Sequence, residues 1–365
     1  MACIRITGFE VSELSIALKK PFITALRRVE CVNDIIIKVH TNSVHVGYGE
    51  ACAVTAITGT TNESLMRDLK ETLFSLLINT QIDEELIFKK LYACKVSSEA
   101  KACIDIALFD ILAKQSAQSL HKYLNASSSS LQTDLTISVN EPLLMKDDAN
   151  KAQEMGFRSL KIKLDHDIQK NIQRLHCINE VILPTTTLRL DPNQALDLQG
   201  CLKMLSHINI KNIECIEQPF KAQDIASMKQ LKKKSIVPVL ADESLFNLQD
   251  AHMLLNDEAI DLLNIKLMKC GGIYEGRAMA KLARNFKKDC MIGSMLEGPI
   301  SLLAAASLGL SQDNIIMADL DSPLYLKAHP LLLPFNLKND TINLDKKHGL
   351  GIDKIMQELK YFPSR

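Results

Sequence analysis

The chain has no run of about 18 consecutive apolar residues, which excludes a single-pass membrane helix. Its opening stretch, Met1–Phe22, alternates short apolar and charged segments and lacks the apolar centre of a secretory signal peptide. Its ten cysteines never form C-x-x-C and never fall at zinc-site spacing. Scattered singly in a chain this large, they read as small buried apolar residues in a reducing cytoplasm. Charge of one sign is not in excess, with 43 basic against 43 acidic residues, so neither nucleic acid nor a membrane surface is an expected partner. No G-x-G-x-x-G fingerprint supports a dinucleotide-binding fold. With 47% hydrophobic residues and a mean hydropathy of +0.03, a globular cytoplasmic protein with a large core is expected.

At 365 residues the chain accommodates one barrel of about 200–250 residues and a second module. Residues 2–19 and 31–41 read as strands, with a turn over His40–Val46 before Gly47-Tyr-Gly-Glu50. A helix follows whose Ala100, Cys103, Ile104, Ala107, Leu108, Ile111 and Leu112 share one face. Strands first and helices after imply an α+β domain over 1–125, and the run Ser127–Ser130 marks its boundary. From Thr133 strands and helices alternate. Strands are expected near 133–139, 159–164, 187–191, 213–217, 237–241, 262–266, 289–294 and 315–320, with helical connectors such as Ile168–Ile182. Near-continuous apolar strands separated by helices imply parallel strands covered on both faces, and eight of them an α/β fold of the TIM-barrel type, placed at 126–323. The tail, 324–365, has weak periodicity and is expected to pack back on the first domain.

Charge marks the ends of these strands. Leu-Lys-Ile-Lys (160–163), Leu-Arg-Leu-Asp-Pro-Asn (188–193), Cys-Ile-Glu-Gln-Pro (215–219), Val-Leu-Ala-Asp-Glu-Ser (239–244) and Leu-Asn-Ile-Lys (263–266) recur at near-constant spacing. From Asp191 to Glu217 is 26 residues, to Asp242 another 25 and to Lys266 another 24, the length of one strand, one helix and two loops. In a β/α barrel such ends converge on one mouth. Singly, each acid reads equally well as a helix cap or a solvated loop residue. Together, Asp191, Glu217 and Asp242 repel unless a cation lies among them, and hard oxygen ligands without nearby His or Cys favour Mg²⁺. Lys161 and Lys163 alternate with apolar residues and so share a face, either the barrel interior or the strand's solvated end. Lys163 on the second strand and Lys266 on the sixth would oppose each other across the metal. Neighbouring cations and partial desolvation are expected to lower a lysine pKa enough for it to act as a base. Lys269 is expected in solvent. Two opposed bases around a Lewis acid suit removal and return of the proton beside a carboxylate, inverting that carbon through an enediolate.

These motifs resemble the enolase superfamily, in particular its muconate-lactonizing-enzyme subgroup. The resemblance rests on K-I-K at 161–163, D-P-N-Q at 191–194, I-E-Q-P at 216–219, A-D-E-S at 241–244 and N-I-K-L-M-K-C-G-G at 264–272. It implies a modified (β/α)7β barrel under an N-terminal capping domain that carries specificity loops. It also implies Mg²⁺ held by Asp191, Glu217 and Asp242, Lys163 and Lys266 as the acid/base pair, and Asn193 behind the metal on the strand face of Asp191. Pro192 departs from the family's usual alanine. Within the subgroup, Lys20-Pro-Phe-Ile-Thr-Ala-Leu-Arg27 and Asp319-Leu-Asp321 are similar to the L-Ala-D/L-Glu dipeptide epimerases. The resemblance gives Asp319 and Asp321 to a dipeptide's ammonium and Arg27 to a side-chain carboxylate. Other readings stand beside these: the aspartates as caps of a following helix, Arg27 as a solvated pair with Arg28. Lys161, Thr136 and Met295 are further candidates for lining the substrate pocket, Thr136 equally for a structural role. Glu297 is a loop acid without an evident role, and Thr55–Thr61, with Ile57 and Gly59, is a candidate lid.

The expected activity is therefore a Mg²⁺-dependent dipeptide epimerase acting on a small-molecule dipeptide, with murein peptide recycling as the expected use and a homo-oligomer, as relatives often form, as the expected assembly. N-acylamino acid racemisation, o-succinylbenzoate synthesis and muconate cycloisomerisation use the same frame but substrates without an ammonium. A Schiff-base aldolase would employ Lys163 or Lys266 as nucleophile and leave three metal carboxylates without a task. A non-catalytic scaffold would have no need of five intact charged positions.

Overall fold

Alternation along Ile6–Ile23 (β1) buries Leu14, Ile16 and Leu18 and exposes Ser15, Ala17 and Lys19, the pattern of a sheet with one face on a core. The computed structural model describes residues 4–327, 335–352 and 360–362. β1 pairs antiparallel with Arg28–Thr41 (β2), which pairs with Gly47–Cys52 (β3). The first strand thus runs past its expected end to Ile23, and the first turn lies at Thr24–Arg27, where Thr24 N donates to Arg27 O at 3.0 Å.

Helix Ser98–Gln115 packs on β3 at glycines. A Cβ on Gly47 would lie 2.1 Å from the Ala107 carbonyl oxygen, and one on Gly49 only 1.9 Å from that of Cys103, so only glycine permits this approach. The expected single apolar face is too narrow a reading, because nearly every residue from Glu99 to Ala113 is buried. Its second side abuts the barrel. There Asp105 accepts from Ile273 N at 2.6 Å and Tyr274 N at 3.2 Å, at the start of helix Ile273–Asn285, where N–H groups lack helical partners.

A short strand, Ser130–Gln132 (β4), precedes eight parallel strands: Leu135–Ile137 (β5), Ser159–Lys163 (β6), Thr187–Asp191 (β7), Ile213–Glu217 (β8), Val239–Ala241 (β9), Leu262–Lys266 (β10), Asp289–Gly293 (β11) and Ile315–Asp319 (β12). All eight lie within or against the expected positions. Their order is sequential, β12 to β5. Asp134 N to Ala318 O (3.2 Å) and Leu320 N to Thr133 Oγ1 (2.8 Å) bridge the remaining side. Helices follow β5 through β11, whereas β12 is followed only by the 3₁₀ turn Ser322–Leu324, which is the (β/α)7β arrangement.

In the tail, Phe335–Lys338 (β13) and Thr341–Leu344 (β14) join β4, while Lys360–Phe362 (β15) pairs with β1. The rest of the expected tail segment, 328–334, 353–359 and 363–365, lies outside the described residues, as do residues 1–3 of the first expected strand. Among the described residues no helix is long and apolar enough to cross a membrane.

Candidate active site

Period-two alternation on β6 turns Leu160 and Ile162 one way and Lys161 and Lys163 the other, into the barrel. Asp191 ends β7, Glu217 ends β8, Asp242 follows β9 directly, Lys266 ends β10 and Asp319 ends β12. None is more than 6% exposed. The strand ends therefore gather the charged repeat at one mouth.

Each ammonium there meets carboxylates. Lys163 Nζ donates to Asp191 Oδ2 at 2.5 Å and to Asn193 Oδ1 at 3.2 Å. Lys161 Nζ stands 2.7 Å from Asp319, 2.8 Å from Glu217 and 3.1 Å from Asp191. Lys266 Nζ donates to Asp242 Oδ2 at 2.7 Å and lies 4.0 Å from Glu217. Lys269, expected in solvent, is buried instead: it donates to the Asp242 carbonyl at 2.5 Å and to Asp242 Oδ1. Alternation of faces ends with β10. Lys266 and Lys269 are three apart at the start of helix Leu267–Cys270, and three residues of helix return a side chain to the same side.

Burial pushes each acid toward neutrality and the lysines pull back, unequally. Asp191 stays low because Lys163 and then Lys161 outweigh its burial, and Asp242 falls far lower beside Lys266 and Lys269. Glu217 is pushed up to about 7 by burial and the Asp191 charge. Its Oε1 accepts from Asn264 Nδ2 at 2.8 Å, and its Oε2 is the oxygen 2.8 Å from the Lys161 ammonium. Burial opposes the charge on Lys266, yet Asp242 outweighs it and holds this lysine above its ordinary range. The expectation of a lowered lysine pKa from neighbouring cations is thus corrected for Lys266: the nearest charges are carboxylates.

Above this layer opens a small cavity of about 40 Å³. Phe22, Thr24, Leu26, Arg27 and Ile57 of the first domain line it, with Lys161, Lys163, Lys266, Thr136, Met295, Asp319 and Asp321 of the barrel. Asn193 also lines it, but from the loop beyond β7 with a left-handed φ of 44°, not from the strand face. There it accepts from Lys163 and donates to Glu243 Oε1 at 3.1 Å. Arg27 is no solvated twin of Arg28: its guanidinium donates to the Met295 carbonyl at 2.9 Å. Asp321 occupies the N-cap position of the 3₁₀ turn without capping it. Its Oδ2 accepts instead from Thr136 N at 2.6 Å and Tyr325 Oη at 2.8 Å, and burial with the Asp319 charge pushes it up to about 6. The expected lid contains a short helix, Thr55–Thr58, ended by Gly59 at φ 77°, and the Thr58 and Thr60 hydroxyls tie it to Glu99.

Among the described residues, one trio of acids brings ligand oxygens within 4.8 Å of one another: Asp134, Asp319 and Asp321. Asp191, Glu217 and Asp242 lie wider apart, with Lys161 and Lys266 between them. Asp134 already faces a cation, since Arg189 Nη1 donates to it at 2.8 Å. Sequence reasoning missed Asp134; a carboxylate before the first strand carries no signal beyond its neighbour Thr136.

Acids and lysines at the C-terminal ends of a parallel barrel, roofed by loops of a separate sheet domain, define an acid–base enzyme of the capped β/α-barrel class. Residues 144–357 match the enolase C-terminal domain-like family, and residues 6–124 match the mandelate racemase/muconate lactonizing enzyme N-terminal domain. The chain belongs to this family, within the enolase superfamily. It is 36% identical over 349 residues to the L-Ala-D/L-Glu epimerase of Clostridium acetobutylicum, covering 94% of this chain and 98% of that protein. The substrate-liganded L-Ala-D/L-Glu epimerase of Bacillus subtilis superposes with a TM-score of 0.93 at 32% identity, over 97% of this chain and all of that one. The dipeptide epimerase of Enterococcus faecalis, complexed with Mg and L-Leu-L-Tyr, gives 0.92 at 32% identity, over 95% and 99%.

Proposed function

We propose that this protein is a Mg²⁺-dependent dipeptide epimerase of the L-Ala-D/L-Glu kind, inverting the α-carbon of the C-terminal residue by proton transfer between Lys163 and Lys266. One observation carries the reading. These two lysines rise from strands four apart in an eight-stranded barrel, so they approach one cavity from opposite sides, and that cavity also holds Asp319 and Asp321. Similarity to proteins named as epimerases supports the same reaction.

The residues present fit Mg²⁺. Asp191, Glu217 and Asp242 offer buried, hard carboxylate oxygens from three adjacent strands, with no His or Cys among them, the donor set Mg²⁺ prefers. When bound there, the ion supplies positive charge against the developing charge on the substrate's carboxylate and competes with the lysines for these acids. The chain's own residues do the rest. One lysine in its amine form takes the α-proton, and the other, as an ammonium, returns a proton to the opposite face. Lys161 stands among three carboxylates and contributes fixed positive charge toward the substrate carboxylate. Asp319 and Asp321 hold the dipeptide ammonium, an attraction that N-acylated substrates lack. Arg27, with Thr24 and Met295, faces the side chain of the C-terminal residue.

We assign residues 1–125 to the capping domain, 126–323 to the barrel and 324–365 to a C-terminal segment. Cytoplasmic location, homo-oligomerisation and service in murein peptide metabolism complete the proposal. The test is wild-type enzyme with a dipeptide in D₂O: deuterium enters the C-terminal residue's α-position, read by mass spectrometry. Absence of label from a panel of dipeptides, with label entering an N-acylamino acid instead, refutes it.

A further inference from the structure

Three carboxyl groups meet at the seam between the two domains with no ammonium or guanidinium in ion-pair reach among the described residues. Asp34 on β2, Glu50 on β3 and Glu297 after β11 are each fully buried. Backbone amides answer one oxygen of each. Gly298 N donates to Asp34 Oδ2 at 2.6 Å, Ile300 N and Ser301 N to Glu50 Oε2 at 2.7 and 3.1 Å, and Met295 N to Glu297 Oε2 at 3.2 Å. The first three donors are the free N–H groups opening helix Pro299–Ser311. The remaining oxygens, Asp34 Oδ1, Glu50 Oε1 and Glu297 Oε1, are buried and receive no N–H or O–H donor from elsewhere among the described residues.

A buried carboxylate oxygen left without a partner is costly, and three together costlier still. Asp34 and Glu50 converge on one point, the Cβ position of Gly298, and two carboxyl groups that meet there hydrogen-bond only when one carries a proton. Both crowd the same glycine: a Cβ on Gly298 would fall 2.2 Å from Glu50 Oε1 and 2.7 Å from Asp34 Oδ2. The third acid reaches the substrate cavity through the backbone. Glu297 fixes the Met295 amide, Met295 turns its carbonyl to Arg27, and Leu296 between them is left-handed at φ 67°. Both Arg27 and Met295 line the cavity.

We propose that Asp34 and Glu50 share a proton in a clamp across the domain seam, that Glu297 is the clamp's third buried acid, and that Glu297 is a positioning residue for the Met295–Arg27 wall against which the substrate's side chain lies. The clamp itself stands on the geometry of this chain; the substrate-side consequence rests on the epimerase reading. Burial pushes Glu50 up to about 8 and Glu297 to about 7, as neutral clamp members require. The other ionisable groups felt at the seam are Cys52, whose thiol donates to Glu297, Cys103 and Glu99 on helix Ser98–Gln115, Arg27, and Lys266 on β10. Only Arg27 and Lys266 are cations, and neither pairs with the clamp.

Between the ordinary glutamate pKa and about 8, folded Glu50 keeps a proton that the unfolded chain has released. Stability therefore falls as pH rises through that window and levels off above it. Glu50→Gln mimics the neutral acid, so its melting temperature should fall less than the wild type's between about pH 5 and pH 8. In dipeptide kinetics, Glu297→Gln should leave KM and kcat within about threefold, whereas Glu297→Ala should raise KM about tenfold with kcat little changed. A Glu297→Gln variant as damaged as Glu297→Ala, or a Glu50→Gln melting profile parallel to the wild type's, overturns the proposal. If Glu297→Ala does not fold, the two glutamine variants decide alone. The melts need no substrate, so failure of the clamp is separable from failure of the epimerase reading, which shows as wild-type enzyme without deuterium exchange.

Discussion

Two clusters of buried acids in this molecule are answered in opposite ways. At the barrel mouth Asp191, Asp242 and Asp319 each meet at least one ammonium within 2.7 Å and stay ionised. At the domain seam Asp34, Glu50 and Glu297 meet backbone amides instead of cations, and are pushed toward the neutral form. Equal burial thus yields two states of one functional group, decided by the balance of cations against neighbouring acids; Glu217, between Asp191 and Asp242, is pushed up even at the mouth. The mouth is built to hold charge and exchange it; the seam is built to join two domains without it.

The largest expected effect breaks the mouth. Dialysis against EDTA should stop α-proton exchange altogether, and added Mg²⁺ should restore it; exchange that persists after chelation removes the metal from the mechanism. Next, Lys266→Ala and Lys163→Ala should each lower epimerisation by roughly 10²–10⁴-fold. Each should abolish deuterium exchange from one epimer only. Both variants losing the same epimer would contradict opposed bases. Asp321→Asn tests the ammonium site: kcat/KM for dipeptides should drop on the order of 10- to 100-fold, the worth of a charge-assisted hydrogen bond. N-acylated substrates should be far less affected. At the seam, Gly298→Ala inserts a methyl group into the two carboxyl groups and should cost about 1–3 kcal/mol of stability by chemical denaturation. An unchanged midpoint would mean that the clamp yields freely.

Much of this was legible before any coordinates. The repeat ending in Lys163, Asp191, Glu217, Asp242 and Lys266 located five of the eight barrel strands, because charge tolerated at a buried strand's end must face the mouth. Asp319 and Asp321 lie outside that repeat and were legible only through the resemblance to the dipeptide epimerases. Lys269 was misplaced because strand alternation was carried three residues into a helix. Helix Ser98–Gln115 was read with one apolar face, although Asp105 and Asp110 on its other sides are buried by accepting backbone N–H groups from distant segments.

Local order came from the sequence alone: period-two and period-3.6 apolar patterns set the strands and helices, and the spacing of charged strand ends set a shared mouth with its candidate acids and bases. Which charge meets which was decided only by tertiary structure. Asp34 lies 264 residues from the amide of Gly298 that it accepts from, and Arg27 lies 268 from the Met295 carbonyl. Such pairings leave no periodic trace, because a protonation state depends on desolvation and on neighbours that only the folded chain brings within reach.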